Sequence, residues 1–502
     1  MLKHVDVLII GAGISGIGAA YHLQKNCPNH SYTILEGRDN IGGTWDLFRY
    51  PGIRSDSDMY TLGYAFKPWT KAKAIADGPS ILDYLRETVD ENNIEQNIRF
   101  GQHVNQASWS SDDSRWTISF TGKDGETRTL TSNFLFMCSG YYDYESGYTP
   151  DFPGAEEFSG EIAHPQKWTE DIDYTDKNVV VIGSGATAVT LVPELAKKAR
   201  NVTMLQRSPT YMVARPEEDA IANWLRRHLP AKLAYGITRW KNVLLGMYFF
   251  RLCRSKPERA KKMLLDGLKA ELDNSNDIKA HFTPSYNPWD QRLCLVPNGD
   301  LFAAVNRGDV SIVTDHIKRF TPSGLSLKSG EHLDADLIVT ATGLNMQFFG
   351  RVLLLVDGKD IEAGECMTYK GMMIRDIPNL AFSMGYTNAS WTLKCDLTCE
   401  YVCRLLNKMQ KDGMTQACPR LNDPTVTPED IMDFSSGYVT RAAGKIPQQG
   451  SKAPWKLYQN YALDIINLRY KSLEDDAMEF SNPPLSKDTQ KSKEANNAIK
   501  AA

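Results

Sequence analysis

The sequence predicts an α/β fold made of two doubly wound units and a helical insertion. A strand, glycine turn, helix, strand pattern occurs twice and gives the two units, while a basic stretch that abandons this alternation gives the insertion. The 502 residues are too many for one ordinary domain and suggest roughly two to four compact units. Hydrophobic residues make up 42% and charged residues 24%, a globular balance rather than a disordered one. A formal net charge of -4 gives no reason to expect nucleic acid. Nine cysteines, scattered without a dense framework, fit a reducing compartment. The first apolar run, Val5–Ile10, leads into glycines and reads as a buried strand, not a signal peptide. The apolar stretch Asn242–Phe250 is far short of the ~20 residues that span a bilayer, so no transmembrane helix is expected.

The first unit opens with the strand Val5–Ile10, the turn Gly11-Ala12-Gly13-Ile14-Ser15-Gly16, an amphipathic run to about Lys25, and the strand Tyr32–Glu36. The turn is a G-x-G-x-x-G in the context that dinucleotide binding requires: its glycines let backbone approach a pyrophosphate at a positive helix N-terminus. Glu36 stands twenty residues after Gly16, where a carboxylate accepts hydrogen bonds from a ribose. The second unit repeats this grammar in Asn178–Ile182, Gly183-Ser184-Gly185-Ala186-Thr187-Ala188, a helix through Leu195, and Val202–Arg207. Here the second strand ends in Arg207, nineteen residues after Ala188, in place of a carboxylate. A guanidinium there suits a 2′-phosphate, with Ser208 adding a hydrogen bond, and so selects NADPH; a solvated surface arginine is the alternative. Two Rossmann-like sites of different preference imply FAD in the first and NADPH in the second, with hydride passing from nicotinamide to flavin.

Further on, Trp116–Phe120 and Arg128–Leu130 flank Lys123-Asp124-Gly125 as a β-hairpin. Phe134–Gly140 and Asp336–Gly343 read as core strands that close the two sheets. These assignments divide the chain into an FAD unit (1–148 and 345–486), an NADPH unit (149–214 and 286–344), a helical insertion (215–285) and a polar tail (487–502) expected to be disordered.

Between the two glycine turns, Phe158, Gly160, His164 and Trp168 form F-x-G-x-x-x-H-x-x-x-W. By itself this is a linker with an aromatic at each end. The spacing resembles the signature of class B flavoprotein monooxygenases, and a tryptophan in the last position resembles their Baeyer–Villiger form; Thr169 departs from the family, which often has Pro or Asp there. Gly42-Gly43-Thr44-Trp45 and Tyr50-Pro51-Gly52 resemble the flavin-contacting segment, and Ala341-Thr342-Gly343 resembles the family's late strand. Gly385–Trp391 is similar to the branch that activates thioamide prodrugs such as ethionamide. The resemblance implies cofactor contacts at Gly43, Thr44, Trp45 and Asp56, and a catalytic role for Arg292 with Asp56. A fixed guanidinium would stabilise an anionic peroxyflavin and the developing oxyanion; the alternative is an ordinary surface ion pair. Where the family often has a lysine beside this arginine, here stands Gln291.

The implied activity is insertion of one oxygen atom of O2 beside a ketone carbonyl, giving an ester or lactone. Oxidation of sulfides, amines or thioamides on the same scaffold is the alternative. A flavin disulfide reductase needs a redox cysteine pair, and the sequence has no Cys-x-x-Cys or Cys-x₄-Cys. Cys395, Cys399 and Cys403 share a helix face, but without a fourth ligand they read as core, and no metal is expected. From Arg215 to Leu265 twelve Lys/Arg face four Asp/Glu, a net of +8, and Leu233, Ile237, Trp240, Leu244 and Met247 recur at helical spacing. The readings are a membrane-surface patch, on a catalytic or non-catalytic protein, and a solvated helical cover; the simpler second reading makes the chain cytoplasmic.

Overall fold

A computed structural model describes residues 3–432 and 434–483; the tail 487–502 lies outside the described residues. The first glycine turn sits in an eleven-stranded sheet. Its parallel centre runs Thr127–Met137, His4–Ile10, Tyr32–Leu35, Ile98–Arg99. Along His4–Ile10 the alternate residues Val7 and Ile9 join one apolar cluster while Leu8 and Ile10 join another. A strand buried on both faces explains why its sequence is continuously apolar. The hairpin at Lys123-Asp124-Gly125 is present, Gly125 supplying a positive φ of 77°. Its second strand does not stop at Leu130: Thr127–Met137 runs on as the core strand beside His4–Ile10, so one strand does what two were expected to do.

The second turn lies in a five-stranded sheet ordered Val310–Thr314, Asn201–Gln206, Asn178–Ile182, Leu337–Thr340, Glu161–Ala163. All its pairings are parallel. Val179 and Val181 face one cluster, Val180 and Ile182 another. The chain leaves the first sheet through Tyr142–Gly147 and returns through Leu344–Met346, and these two crossing segments pair antiparallel. Tyr148 N–H donates to Gly343 O at 3.0 Å just beyond them.

The strand Met212–Arg215 pairs with Cys294–Pro297, and the chain between them forms the helices Ala220–His228, Ala231–Ser255, Pro257–Lys269 and Ser275–His281. The helical insertion is there, but of the five apolar positions that announce it four face outward, while Met247 packs against the core of the first unit. Leu233, Ile237, Trp240 and Leu244 are 53, 43, 43 and 56% exposed, while Ala234, Tyr235, Thr238, Arg239 and Val243 are buried. Arg239 donates to the carbonyls of Tyr60 (2.9 Å) and Gly63 (2.7 Å) and lies 3.6 Å from Asp396. A buried guanidinium thus pins the long helix to the first unit.

Candidate active site

One cavity of about 560 Å³ runs from the first glycine turn to the second, a size typical of ligand pockets. It opens at the C-terminal ends of the parallel strands, where doubly wound sheets bind ligands. Gly11, Gly13, Glu36, Gly43, Thr44, Trp45, Asp56, Thr187 and Arg292 line it.

At the first turn, Gly11 has φ +100° and an added Cβ would stand 2.6 Å from Cys138 O. Gly13 and Gly43 approach closely enough that a Cβ on Gly43 would lie 3.1 Å from Gly13 Cα. Gly42 N–H donates to Ala12 O at 3.0 Å, which holds the Gly42–Trp45 segment over the turn. The helix Ile14–Asn26 starts at Gly13 without a side-chain cap, leaving its first N–H groups for an anion. Glu36 is buried and accepts from the N–H of Ala12 (2.6 Å) and Arg38 (2.9 Å). Its carboxylate has about four acceptor sites, so lone pairs remain for hydroxyl donors. Burial raises the Glu36 pKa against these two hydrogen bonds. A bare backbone cradle with a carboxylate beyond it fits a dinucleotide. Gly16 lies outside the cavity and packs helix on strand: its Cβ would stand 1.9 Å from Gly11 O. Gly16→Ala is therefore expected to displace the helix start and yield protein without bound flavin, read from the ratio of 450 to 280 nm absorbance.

At the second turn, a Cβ on Gly183 would stand 2.3 Å from Ala341 O, whereas one on Gly185 would meet nothing within 4 Å. Gly183 serves packing and Gly185 leaves open approach. The helix Ala186–Leu195 again starts uncapped, Thr187 reaches the cavity wall, and Ala188 is buried beneath it. Ser184 Oγ donates to Ser208 O (3.1 Å) and meets Thr210 Oγ1 (2.9 Å), tying the turn to the strand end that carries Arg207. Arg207 and Ser208 are exposed. The strand end is open to a ligand but is not part of the enclosed cavity.

Asp56 and Arg292 come together across 236 residues of sequence: Arg292 Nη1 donates to Asp56 Oδ2 at 3.3 Å. Their side chains are 45 and 37% accessible because they face a cavity wide enough for water, although they lie deep in the molecule. Arg54, two residues from Asp56, pairs with Asp300 at 2.5 Å and anchors that loop to the second unit. Around the pair stand aromatics that the sequence reading did not assign. Tyr141 stacks on Trp391 with centroids 4.8 Å apart, its hydroxyl bonds that of Tyr142, and Trp391 donates to Ser15 Oγ at 3.0 Å. Tyr141, Tyr142 and Tyr144 follow the C-terminal end of a core strand, and that placement was a usable signal. Burial pushes the phenols of Tyr50, Tyr141 and Tyr144 up to about 12, so they are neutral hydrogen-bond donors at pH 7.

The signature residues sit outside the cavity lining. Phe158 is buried edge-on to Phe320, and a Cβ on Gly160 would lie 2.4 Å from Asp336 O. His164 Nδ1 accepts from Gln166 N–H at 3.2 Å, and burial lowers its pKa, so it is neutral. A Cβ on Gly147 would meet the His164 ring at 1.9 Å, which places the histidine against the crossing segments. Trp168 is buried with Tyr174 beside it. Cys395, Cys399 and Cys403 are buried on the helix Trp391–Asp412, and Cys395 Sγ lies 2.9 Å from Ser383 Oγ.

A family described as pyridine nucleotide-disulphide oxidoreductase matches residues 8–239. FAD-containing monooxygenase EthA of Mycobacterium tuberculosis is 53% identical over 485 residues, covering 96% of this chain and 99% of that protein. The chain belongs to the FAD-containing monooxygenase family. EthA of Mycolicibacterium smegmatis, 51% identical over 482 residues, covers 96% of this chain and 98% of its own. Among solved structures, an oxidized steroid monooxygenase bound to NADP superimposes with a TM-score of 0.75 at 20% identity, covering 96% of this chain and 100% of that one. An open cyclohexanone monooxygenase gives 0.72 at 20% identity with the same coverage. This FAD-containing monooxygenase therefore shares their two-unit Rossmann-type fold.

Proposed function

We propose that this monooxygenase uses FAD and NADPH to insert one oxygen atom of O2 beside a ketone carbonyl, a Baeyer–Villiger reaction. The observation that carries the reading is the Arg292–Asp56 pair, set in one cavity between two glycine turns. FAD along the first turn would supply the activation of O2, with NADPH as hydride donor. Gly11, Gly13 and Gly43 would give the pyrophosphate its backbone approach, and Glu36 would receive the ribose. Gly185, Thr187 and the helix N-terminus above Ala188 would receive the second dinucleotide, and Arg207 and Ser208 would hold its 2′-phosphate. Arg292 is cationic at any working pH. Held by Asp56, it stabilises negative charge that develops on a carbonyl oxygen without reorganising at that moment. Tyr141 and Trp391 give the site a stacked aromatic wall. Phe158, Gly160 and Trp168 act by packing within the second unit, and His164 by packing that unit against the crossing segments.

The test is one assay: NADPH and O2 with a panel of ketones and sulfides, reading esters and sulfoxides by mass spectrometry. Esters at higher kcat/KM than sulfoxides support the reading; sulfoxides alone replace it with sulfur oxygenation.

With Gln291 where the family often has lysine, the 2′-phosphate depends on Arg207. Arg207→Ala is expected to raise the NADPH KM about 10- to 150-fold, the loss of one charged hydrogen bond worth ~1.5–3 kcal/mol, with the NADH KM unchanged. Steady-state kinetics with both coenzymes checks it, and equal effects would remove the assignment.

A further inference from the structure

The insertion turns its apolar side outward. Leu233, Ile237, Trp240, Leu244 and Tyr248 follow one another at spacings of four, three, four and four residues, which puts them on one face of the helix Ala231–Ser255. At 1.5 Å per residue the stripe is ~22 Å long. Tyr248 is 63% exposed, and the opposite face, with Arg239 in it, is the one packed on the protein. The neighbouring helices add to the same region: Ile221 and Trp224 on one, Met263 on the other, are 56, 57 and 46% exposed. Nine of the fifteen large hydrophobic side chains exposed among the described residues fall between Ile221 and Met263, so the exposure is a patch and not scatter. The C-terminal segment widens it, since Tyr461 meets Trp240 at 5.7 Å and Ile466 is 51% exposed.

The same surface is cationic. Arg227, Lys232, Arg251, Lys256 and Arg259 are exposed and pair with no carboxylate among the described residues, within a stretch of net charge +8. Arg251 prolongs the apolar stripe by one further turn. No helix among the described residues is long and apolar enough to cross a membrane.

We propose that these helices form a docking surface for an anionic lipid bilayer, lying in the headgroup plane with the stripe immersed and the basic side chains on the phosphates. An apolar stripe bordered by cations and carrying Trp and Tyr has the chemistry of that interface. A second copy of the chain fits poorly, because self-association through this face would set one +8 stretch against another.

The experiment is co-sedimentation of the FAD-loaded protein with vesicles of phosphatidylcholine alone or with phosphatidylglycerol. The protein is expected to pellet with the anionic vesicles, and to do so much less with neutral vesicles or in about 1 M salt, where the Debye length falls to ~3 Å. The double variant Ile237→Ser/Leu244→Ser keeps every charge and is expected to lower the partition coefficient about a hundredfold, roughly tenfold for each large apolar side chain no longer buried. Its flavin content and rate of flavin reduction by NADPH should match the parent, showing that the fold is intact. Three results would overturn the proposal: parent protein left in the supernatant with anionic vesicles, equal pelleting of parent and variant, or light scattering without lipid that shows a dimer which the variant dissolves.

Discussion

Arg292→Ala is expected to form ester at least a hundredfold more slowly than the parent while still binding FAD and still being reduced by NADPH. One preorganised group facing developing negative charge is commonly worth ~2.7–4 kcal/mol, or about 10²–10³ in kcat. Arg292 belongs to neither glycine turn and hydrogen-bonds Asp56, so the binding and reduction steps keep their residues. Flavin bleaching by NADPH in an oxygen-free stopped-flow cell should proceed at the parental rate. Arg292→Lys should recover only part of the loss, because an ammonium keeps the charge but not the planar fork that Asp56 orients. Ester formation at the parental rate in Arg292→Ala would mean that another group stabilises the reacting oxygen, and the Baeyer–Villiger reading would lose its mechanistic support.

The second large effect is on stability. Arg239→Met is expected to destabilise the protein by about 3–5 kcal/mol, the usual consequence of removing one partner from a buried charge cluster. Two loop carbonyls, Tyr60 O and Gly63 O, would lose their donor. Asp396 would lose a countercharge while remaining 2% exposed, with Ala65 N–H at 2.9 Å and His22 Nε2 at 3.4 Å. Thermal release of flavin, followed by its fluorescence, should shift to lower temperature. Limited proteolysis should cut first within the helix Ala231–Ser255 as it lifts away. An unchanged release temperature would show that the insertion is held by its apolar contacts alone.

What was legible in the sequence was what backbone geometry dictates locally. Gly11 and Gly183 need positive φ, and a strand buried on both faces must be apolar throughout, so both glycine turns and their strands could be read directly. Arg292 and Asp56 were different. Nothing within 236 residues of chain says that they meet, and only the resemblance to a family pointed to them. Tyr141 and Tyr142 escaped, and Trp391 was legible only as the end of a family-like stretch, because aromatics are ordinary core residues and only the strand end beside them makes them a wall of the cavity. The insertion shows the limit of periodicity: helical spacing reveals a helix, but which face turns inward depends on Arg239 finding carbonyls and Asp396 on a distant part of the chain.

The paired crossing segments bear on how such a molecule is assembled. The block from Tyr148 to Gly343 begins and ends one hydrogen bond apart, beside two strands that zip together. To the host sheet that whole block is topologically a loop closed at its neck. Strand order in the host sheet is therefore independent of what the block contains, while the block stays seated through contacts that cross from it to the host, Arg239 with Tyr60, Gly63 and Asp396 and Arg292 with Asp56.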